Sequence, residues 1–450
     1  MNYQNLIEDN FDSYIEDLKS LVRIPSVFRE DHSKKPFGSA IDRSLKTILK
    51  ISDRLGFKTY YDPEGYYGYA EVGQGEELIG VLGHIDVVPA EDLDKWHSHP
   101  FDPVIRDGKI YGRGTQDDKG PTLAALYAVH ALYESGIAFN KRVRFIFGTD
   151  EETLWRGINA YSEREEMPSY GFSPDSKFPL IHAEKALIQA KLIGNGMTGV
   201  SIHAGEAFNS VPANASYEGM DRSHLENVLN SLGFDFDSCK SSTNVVGKSV
   251  HAQVADTGVN AAARLCIALR HVSDANNAIR FVSEQLAEDA HAEKIFGKVE
   301  DAISGKLKVN LGKLKVDDNI SELSMDLRIP ISADVEMIKS KLKKSAESYG
   351  MEFIVHDYLR PVYVPLESKL VKTLMTSYAS VTGDQKSRPL AAGGATYARA
   401  LDNCVAFGTV FPGRKKTEHQ PNEHIQLEDL KLGMMVYADA IKRLLVTDIL

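Results

Sequence analysis

Three clusters between Leu78 and Thr153 hold the residue types that do chemistry. They are Gly83-His84-Ile85-Asp86, Gly112-Arg113-Gly114-Thr115-Gln116-Asp117-Asp118-Lys119-Gly120 and Gly148-Thr149-Asp150-Glu151-Glu152-Thr153. Imidazole and carboxylates gathered in this way point to a metal site, and two adjacent acids point to a ligand beside a general base. His84 and Asp86 lie two apart, so at a strand end both face the same way. A carboxylate that accepts one imidazole N–H fixes the tautomer that presents the other nitrogen to a metal. A hydrogen-bonded rim pair is the plainer reading of that spacing. In the second cluster Asp118 suits stabilisation of the helix that follows. Asp117 is the better ligand candidate, because a carboxylate held by a glycine-rich turn can bridge two cations. Glu151 and Glu152 follow an apolar run, and adjacent carboxylates at a buried strand end are costly unless a cation or proton compensates. Asp150 beside them keeps a solvated turn in contention. Asp175, after Pro174, reads singly as a loop acid. His419 sits in the polar loop Glu418-His419-Gln420-Pro421-Asn422-Glu423-His424, where His424 competes with it.

These groups need rigid elements behind them. Leu78 to Gly83 and Val143 to Phe147 read as buried strands, each ending on a cluster. In open α/β sheets, sites gather at the carboxyl ends of strands. Helices are expected over 5–23, 39–55, 121–135, 223–232, 278–289, 334–349, 367–380 and 427–445, with a further one ending near Leu269. Strands are expected at 57–61, 66–72, 186–192, 243–250, 307–311, 323–329 and 405–407. Pro121 fits a first helical turn. Trp96 to Pro103 reads as a proline-rich loop packed by Trp96 and Phe101, with His97 and His99 as polar loop residues. From about residue 184 strands and helices mix over about 175 residues, which suggests a separate α+β domain; Pro361 to Pro365 reads as the crossing back.

The chain has 450 residues, long for one core, so two domains are the prior. Its net charge of −11 argues against nucleic acid, whose phosphates need clustered Lys and Arg. Cys239, Cys266 and Cys404 are far apart and show no metal or redox spacing, which favours a reducing compartment. Met1 to Ser20 has neither the basic start nor the apolar core of a signal peptide. No apolar run approaches the ~18 residues of a membrane span. A cytoplasmic protein without membrane association is therefore expected.

Taken in order, the clusters resemble those of the dinuclear metallopeptidase family that contains aminoacylases, glutamate carboxypeptidases and carnosinase-type dipeptidases. The residues that carry the resemblance are Gly83 to Pro89, Trp96 to Pro103, Gly112 to Gly120, Gly148 to Glu152, Ser173-Pro174-Asp175 and His419. It extends through Gly247 to His251, Gly258 to Ala261, Asp326 to Pro330 and Gly393 to Arg399, and within the family looks closest to bacterial PepV-type dipeptidases.

The resemblance implies an α/β catalytic domain, with a mixed sheet and helices on both faces, formed by 1–183 and 361–450. An inserted α+β lid would span 184–360; its enlarged form implies a monomer. By position, Asp117 would bridge two metals, with His84 and Asp175 on one and Glu152 and His419 on the other. Asp86 would orient His84, and Glu151 would be the general base. His251 would polarise the substrate carbonyl, and Asn209, Arg328 and Gly394 would meet substrate, Arg328 through a two-pronged contact to a terminal carboxylate. The implied cofactor is two Zn²⁺ per chain, with Mn²⁺ or Co²⁺ also suited. The implied reaction is hydrolysis of dipeptides, β-alanyl dipeptides included, by a water activated between the metals. An N-acyl-amino-acid deacylase or desuccinylase would use the same site, and a non-catalytic binding protein could keep the scaffold. Two departures fall outside the presumptive ligands. Ala395 stands where relatives often have a third glycine, and Val254-Ala255-Asp256 replaces a proline common after the lid histidine.

Overall fold

The computed structural model describes residues 2–272 and 275–449. They form two compact units. One comprises Met1–Ala183, Val362–Leu390 and Thr396–Leu450, the other Glu184–Pro361 and Ala391–Ala395.

In the first unit the strands follow the order Lys58–Tyr61, Gly68–Val72, Arg142–Gly148, Leu78–His84, Tyr170–Ser173, Cys404–Ala406, Ile181–Glu184 and Val362–Tyr363. Arg142–Gly148, Leu78–His84, Tyr170–Ser173 and Cys404–Ala406 run parallel, and their outer neighbours are antiparallel. The sheet is thus mixed, as the α/β reading expects. Leu78–His84 is buried at every position, the mark of a parallel strand covered on both faces. The helix Lys119–Glu134 is buried without a break from Lys119 to Leu132, because it packs between Tyr3–Val22 and Leu427–Val446.

Parallel register sets His84 beside Gly148. A Cβ at Gly148 would fall 2.0 Å from Cε2 of Tyr397, a ring that is 1% exposed. Gly148→Ala is therefore expected to lower stability by about 1–3 kcal/mol through overpacking. Thermal unfolding would show this as a lowered midpoint.

The second unit is built on an antiparallel sheet in the order Phe236–Ser238, Thr243–Val246, Asn214–Glu218, Ser201–Ala204, Lys308–Val316, Ile320–Ile329, Ala186–Asn195 and Glu352–Leu359. Its core includes Leu192, Ile202, Leu225, Leu265, Leu323 and Met325. A register shift between Leu311 and Lys313 brings Gly312 against the 207–208 backbone, where a Cβ would lie 2.3 Å from the Phe208 carbonyl oxygen.

Several elements differ from expectation. Residues 278–289 do not form one helix: Asn277–Phe281 passes into a π turn, Val282–Leu286, and stops at Ala287 with φ +47. The strand from Thr243 ends at Val246 rather than at 250. Helix Arg156–Arg164 was not expected; it begins after Trp155 in a left-handed conformation and buries Gly157, Ile158, Ala160 and Tyr161. Strand Glu352–Leu359 also escaped, because it is a sheet edge and shows no clean alternation of burial. No helix among the described residues is long and apolar enough to cross a membrane.

Candidate metal centre and active site

Three of the parallel strands end on candidate residues. Leu78–His84 ends on His84, Arg142–Gly148 leads into Glu151-Glu152, and Tyr170–Ser173 leads into Asp175. A small sheet, His424–Gln426 on Lys109–Tyr111 on Val104–Arg106, ties the loop that holds His419 to the turn that holds Asp117.

Asp117 lies at the centre. Its Oδ1 is 3.0 Å from His84 Nε2 and its Oδ2 is 3.1 Å from His419 Nε2. Glu152 Oε1 is 3.0 Å from the same His419 nitrogen. Ligand atoms of His84, Asp117 and Glu152 all fall within 4.8 Å of one another. One carboxylate thus turns one oxygen to each of two imidazoles. His419, not His424, joins the cluster; His424 Nδ1 faces the Asn422 carbonyl.

His84 is 1% exposed, and its Nδ1 lies 3.0 Å from the Asp86 backbone carbonyl. That contact orients the ring so that Nε2 faces Asp117. Nδ1 therefore faces both the main-chain carbonyl of Asp86 and, at 3.5 Å, its carboxylate Oδ1. The Oδ2 of that carboxylate accepts the Glu152 N–H at 3.0 Å. Asp86 still links the two ligand segments. Asp86→Ala is expected to weaken metal affinity by about 10–100-fold, the usual effect of losing such a supporting partner; titration with a chromophoric chelator measures it.

Asp118 stands at the start of helix Lys119–Glu134 and makes no side-chain cap bond. Its Oδ2 accepts the Thr122 hydroxyl at 2.7 Å and the His84 N–H at 3.2 Å.

The charges are frustrated. Burial, with like charge from Glu152, Asp117 and Asp86, pushes the Glu151 carboxyl well above its usual range. Burial, with Asp117, Asp118 and Glu151, does the same to Asp175. For Asp117 burial acts upward but is outweighed by hydrogen bonds to His419 and His84, which hold its carboxyl below the ordinary range. For both imidazoles burial acts downward and is overcome by neighbouring carboxylates, so their basicity rises well above normal. Cations in such a cluster reverse this logic by pairing with the acids directly. His84, Asp117 and Glu152, with His419 against the last two, offer mixed nitrogen and oxygen donors of the kind that fits divalent transition metals, and Asp175 lies within electrostatic reach of Asp117.

Three supporting residues were not foreseen. Glu423, fully buried, pairs with Arg113 at 2.7 Å and accepts N–H groups of Gly114, Gln116 and Asp117. Gln116 acts as a splint: its Oε1 accepts the Thr417 and Glu418 N–H groups at 2.6 and 3.1 Å. Lys119 Nζ, inside the protein, donates to the Leu21 and Ile24 carbonyls at 2.9 and 2.8 Å. The available signal was the density of polar residues in a glycine-rich turn. Their partners lie up to 310 residues away and cannot be read from spacing.

The remaining candidates lie in the second unit. His251 is exposed, and its Nδ1 accepts the Gln253 N–H at 3.2 Å, which puts the proton of the neutral ring on Nε2. Asn209 is exposed and its carbonyl accepts the Ala252 N–H at 2.8 Å. Arg328 is buried, and its expected two-pronged face is already taken: Nε and Nη2 hold Asp326 at 2.6 and 2.9 Å. Nη1 donates to the Gly393 carbonyl at 2.8 Å. Gly393 backs onto Gln253, whose side-chain oxygen would be 3.9 Å from a Cβ on Gly394. One network therefore links the His251 turn, Arg328 and the Gly393-Gly394 segment. Asp256, in the turn after His251, pairs with Lys308.

Known proteins resemble the chain over its whole length. The model of peptidase family M20/M25/M40 matches residues 80–443. The Bacillus subtilis protein YtjP, whose dipeptidase name is itself provisional, is 36% identical over 99% of this chain and 100% of its own. Staphylococcus aureus relatives with the same kind of name are 33% identical, over 99% of this chain and 100% of theirs. Among solved structures, the yeast dipeptidase Dug1p from Saccharomyces cerevisiae superposes with a TM-score of 0.64 at 15% identity, covering 99% of this chain and 98% of that one. Human carnosine dipeptidase 1 gives 0.62 at 16%, with the same coverage, so both share the fold. The match across the site strands and the closing helix settles the class: the chain belongs to peptidase family M20/M25/M40 and is a hydrolase acting on peptide bonds.

Proposed function

We propose that the protein is a dinuclear metal-dependent dipeptidase. The observation that carries this reading is the Asp117 carboxylate, with one oxygen toward His84 and the other toward His419. His84 and Asp175 would hold one divalent cation, Glu152 and His419 the second, and Asp117 would bridge them. Two Zn²⁺ suit these donors, and Mn²⁺ or Co²⁺ would also fit. Bound there, the cations would supply Lewis-acid activation of water and of the scissile carbonyl.

The protein's own groups do the rest. Glu151, next to the ligand Glu152, takes a proton from the attacking water on its carboxylate and delivers it to the leaving amine. In the second unit, proposed as the lid, His251 Nε2–H donates to the carbonyl oxygen as charge builds on it. Asn209 and the Gly394 backbone contact substrate. Arg328 meets the terminal carboxylate with the N–H groups that Asp326 leaves over, an end-on contact rather than a fork. The dipeptidase names of the relatives support free dipeptides as substrates; the proposal includes β-alanyl dipeptides. The PepV-type likeness, a monomeric state and a cytoplasmic site of action complete the proposal; no disulfide joins the three cysteines.

The test is a panel of free dipeptides beside matched N-acetyl amino acids. Cleavage of the free set supports the reading. Cleavage of the acylated set alone makes the protein a deacylase.

A further inference from the structure

The proposed mechanism leaves one ion pair beside the centre without a task. Lys416 and Glu418 pair through their side chains, which are 33% and 24% exposed. The Gln116 splint fixes their backbone against the Asp117 turn, and His419 follows at once. Asp175 and Asp117 lie within electrostatic reach of the Lys416 ammonium. Asp117 and His419 lie within reach of the Glu418 carboxylate, and Lys177 faces the same pair.

The other acids around the cluster are committed. Asp150 is held by the Arg156 guanidinium and main-chain N–H. Glu423 is held by Arg113 and three backbone donors. Asp118 is held by Thr122 and the His84 N–H. Asp86 takes the Glu152 N–H. Glu151, Glu152, Asp117 and Asp175 belong to the centre itself. Glu418 has a different kind of partner, a lysine two residues away on a flexible, partly exposed stem. An ammonium group can share or displace such a partner, because both side chains keep an exposed edge.

We propose that Glu418 is the specificity determinant for the free α-ammonium group of the substrate, with Lys416 its counter-ion when no substrate is bound. The assignment rests on the dipeptidase reading and deepens it. A free dipeptide carries a positive amine that needs an acid at the site, whereas an acylated amino acid carries none. On binding, the substrate ammonium donates to the Glu418 carboxylate, and the Lys416 ammonium remains near the acids of the centre. No covalent step is involved.

The experiment compares one free dipeptide, Leu-Gly, with its N-acetylated form, in wild-type enzyme and Glu418→Gln loaded with Zn²⁺. The expected result is a KM for Leu-Gly raised about 10- to 100-fold, the usual loss for a charged hydrogen bond. The value of kcat should stay within a few-fold, and KM or the inhibition constant of the acetylated form should not move. An unchanged KM for Leu-Gly, or equal weakening of both compounds, overturns the assignment. If Glu418→Gln loses metal, Lys416→Met decides: it frees the carboxylate, so a lower KM for Leu-Gly alone supports the assignment and an unchanged one overturns it. A wild-type enzyme that turns over only acylated amino acids overturns the dipeptidase reading itself. Cleavage of Leu-Gly with an insensitive Glu418→Gln overturns this assignment alone.

Discussion

Glu151→Gln is expected to lower dipeptide turnover by about 10²–10⁴-fold, the usual contribution of general acid–base catalysis, with both cations still bound. The substitution keeps size and shape but removes the group that accepts the proton. Glu151 sits beside Glu152 on the turn after strand Arg142–Gly148 and lies within electrostatic reach of His84, whereas Glu152 meets His419 at 3.0 Å. On the proposed reading the neighbours divide the work, one on the cation and one on the proton. Steady-state kinetics with metal analysis of the same preparation checks this. Near-normal kcat would move the base elsewhere; loss of metal would make Glu151 a ligand.

Asp117→Asn should do more, because it strikes both cations at once. An amide offers one oxygen and one N–H pair, so it cannot turn an acceptor to each side. Metal content is expected to fall from two per chain to one or none, and turnover to fall below detection at micromolar metal. The loss should exceed the ~10–100-fold typical of a supporting residue such as Asp86. Metal analysis after gel filtration reads the stoichiometry, and circular dichroism checks that the fold survives. Retention of two metals per chain would remove Asp117 from the bridging position.

The sequence made the frame of the catalytic unit legible for a physical reason. Strands Leu78–His84 and Arg142–Gly148 are buried on both faces, so they read as largely apolar runs, and each leads to acids or imidazole. The neighbourhood of His84, Asp117 and Glu152 followed from that placement and from the resemblance. The choice of His419 over His424 came from the resemblance alone. In the fold it depends on the short sheet with Lys109–Tyr111 and on the Gln116 splint, both contacts across some 300 residues. Glu423 was hidden for the same reason, since a buried acid bonded to Arg113 looks in sequence like any loop glutamate. Arg328 was legible in part. The resemblance implied a two-pronged grip on substrate, but not that Asp326, two positions earlier on the same strand face, holds the Nε–Nη2 edge of the guanidinium. Strand Glu352–Leu359 was missed because it is an edge strand whose alternation is broken by an irregularity between Val355 and Asp357.

The most direct test of the central claim is a metal titration of activity. The enzyme is stripped with chelator, Zn²⁺ or Mn²⁺ is added back in measured equivalents, and hydrolysis of a free dipeptide is followed at each step. The account predicts negligible turnover in the stripped protein and a rise that saturates at two equivalents per chain. Full turnover without metal, or two bound equivalents with no hydrolysis of any dipeptide or acyl amino acid, would contradict it.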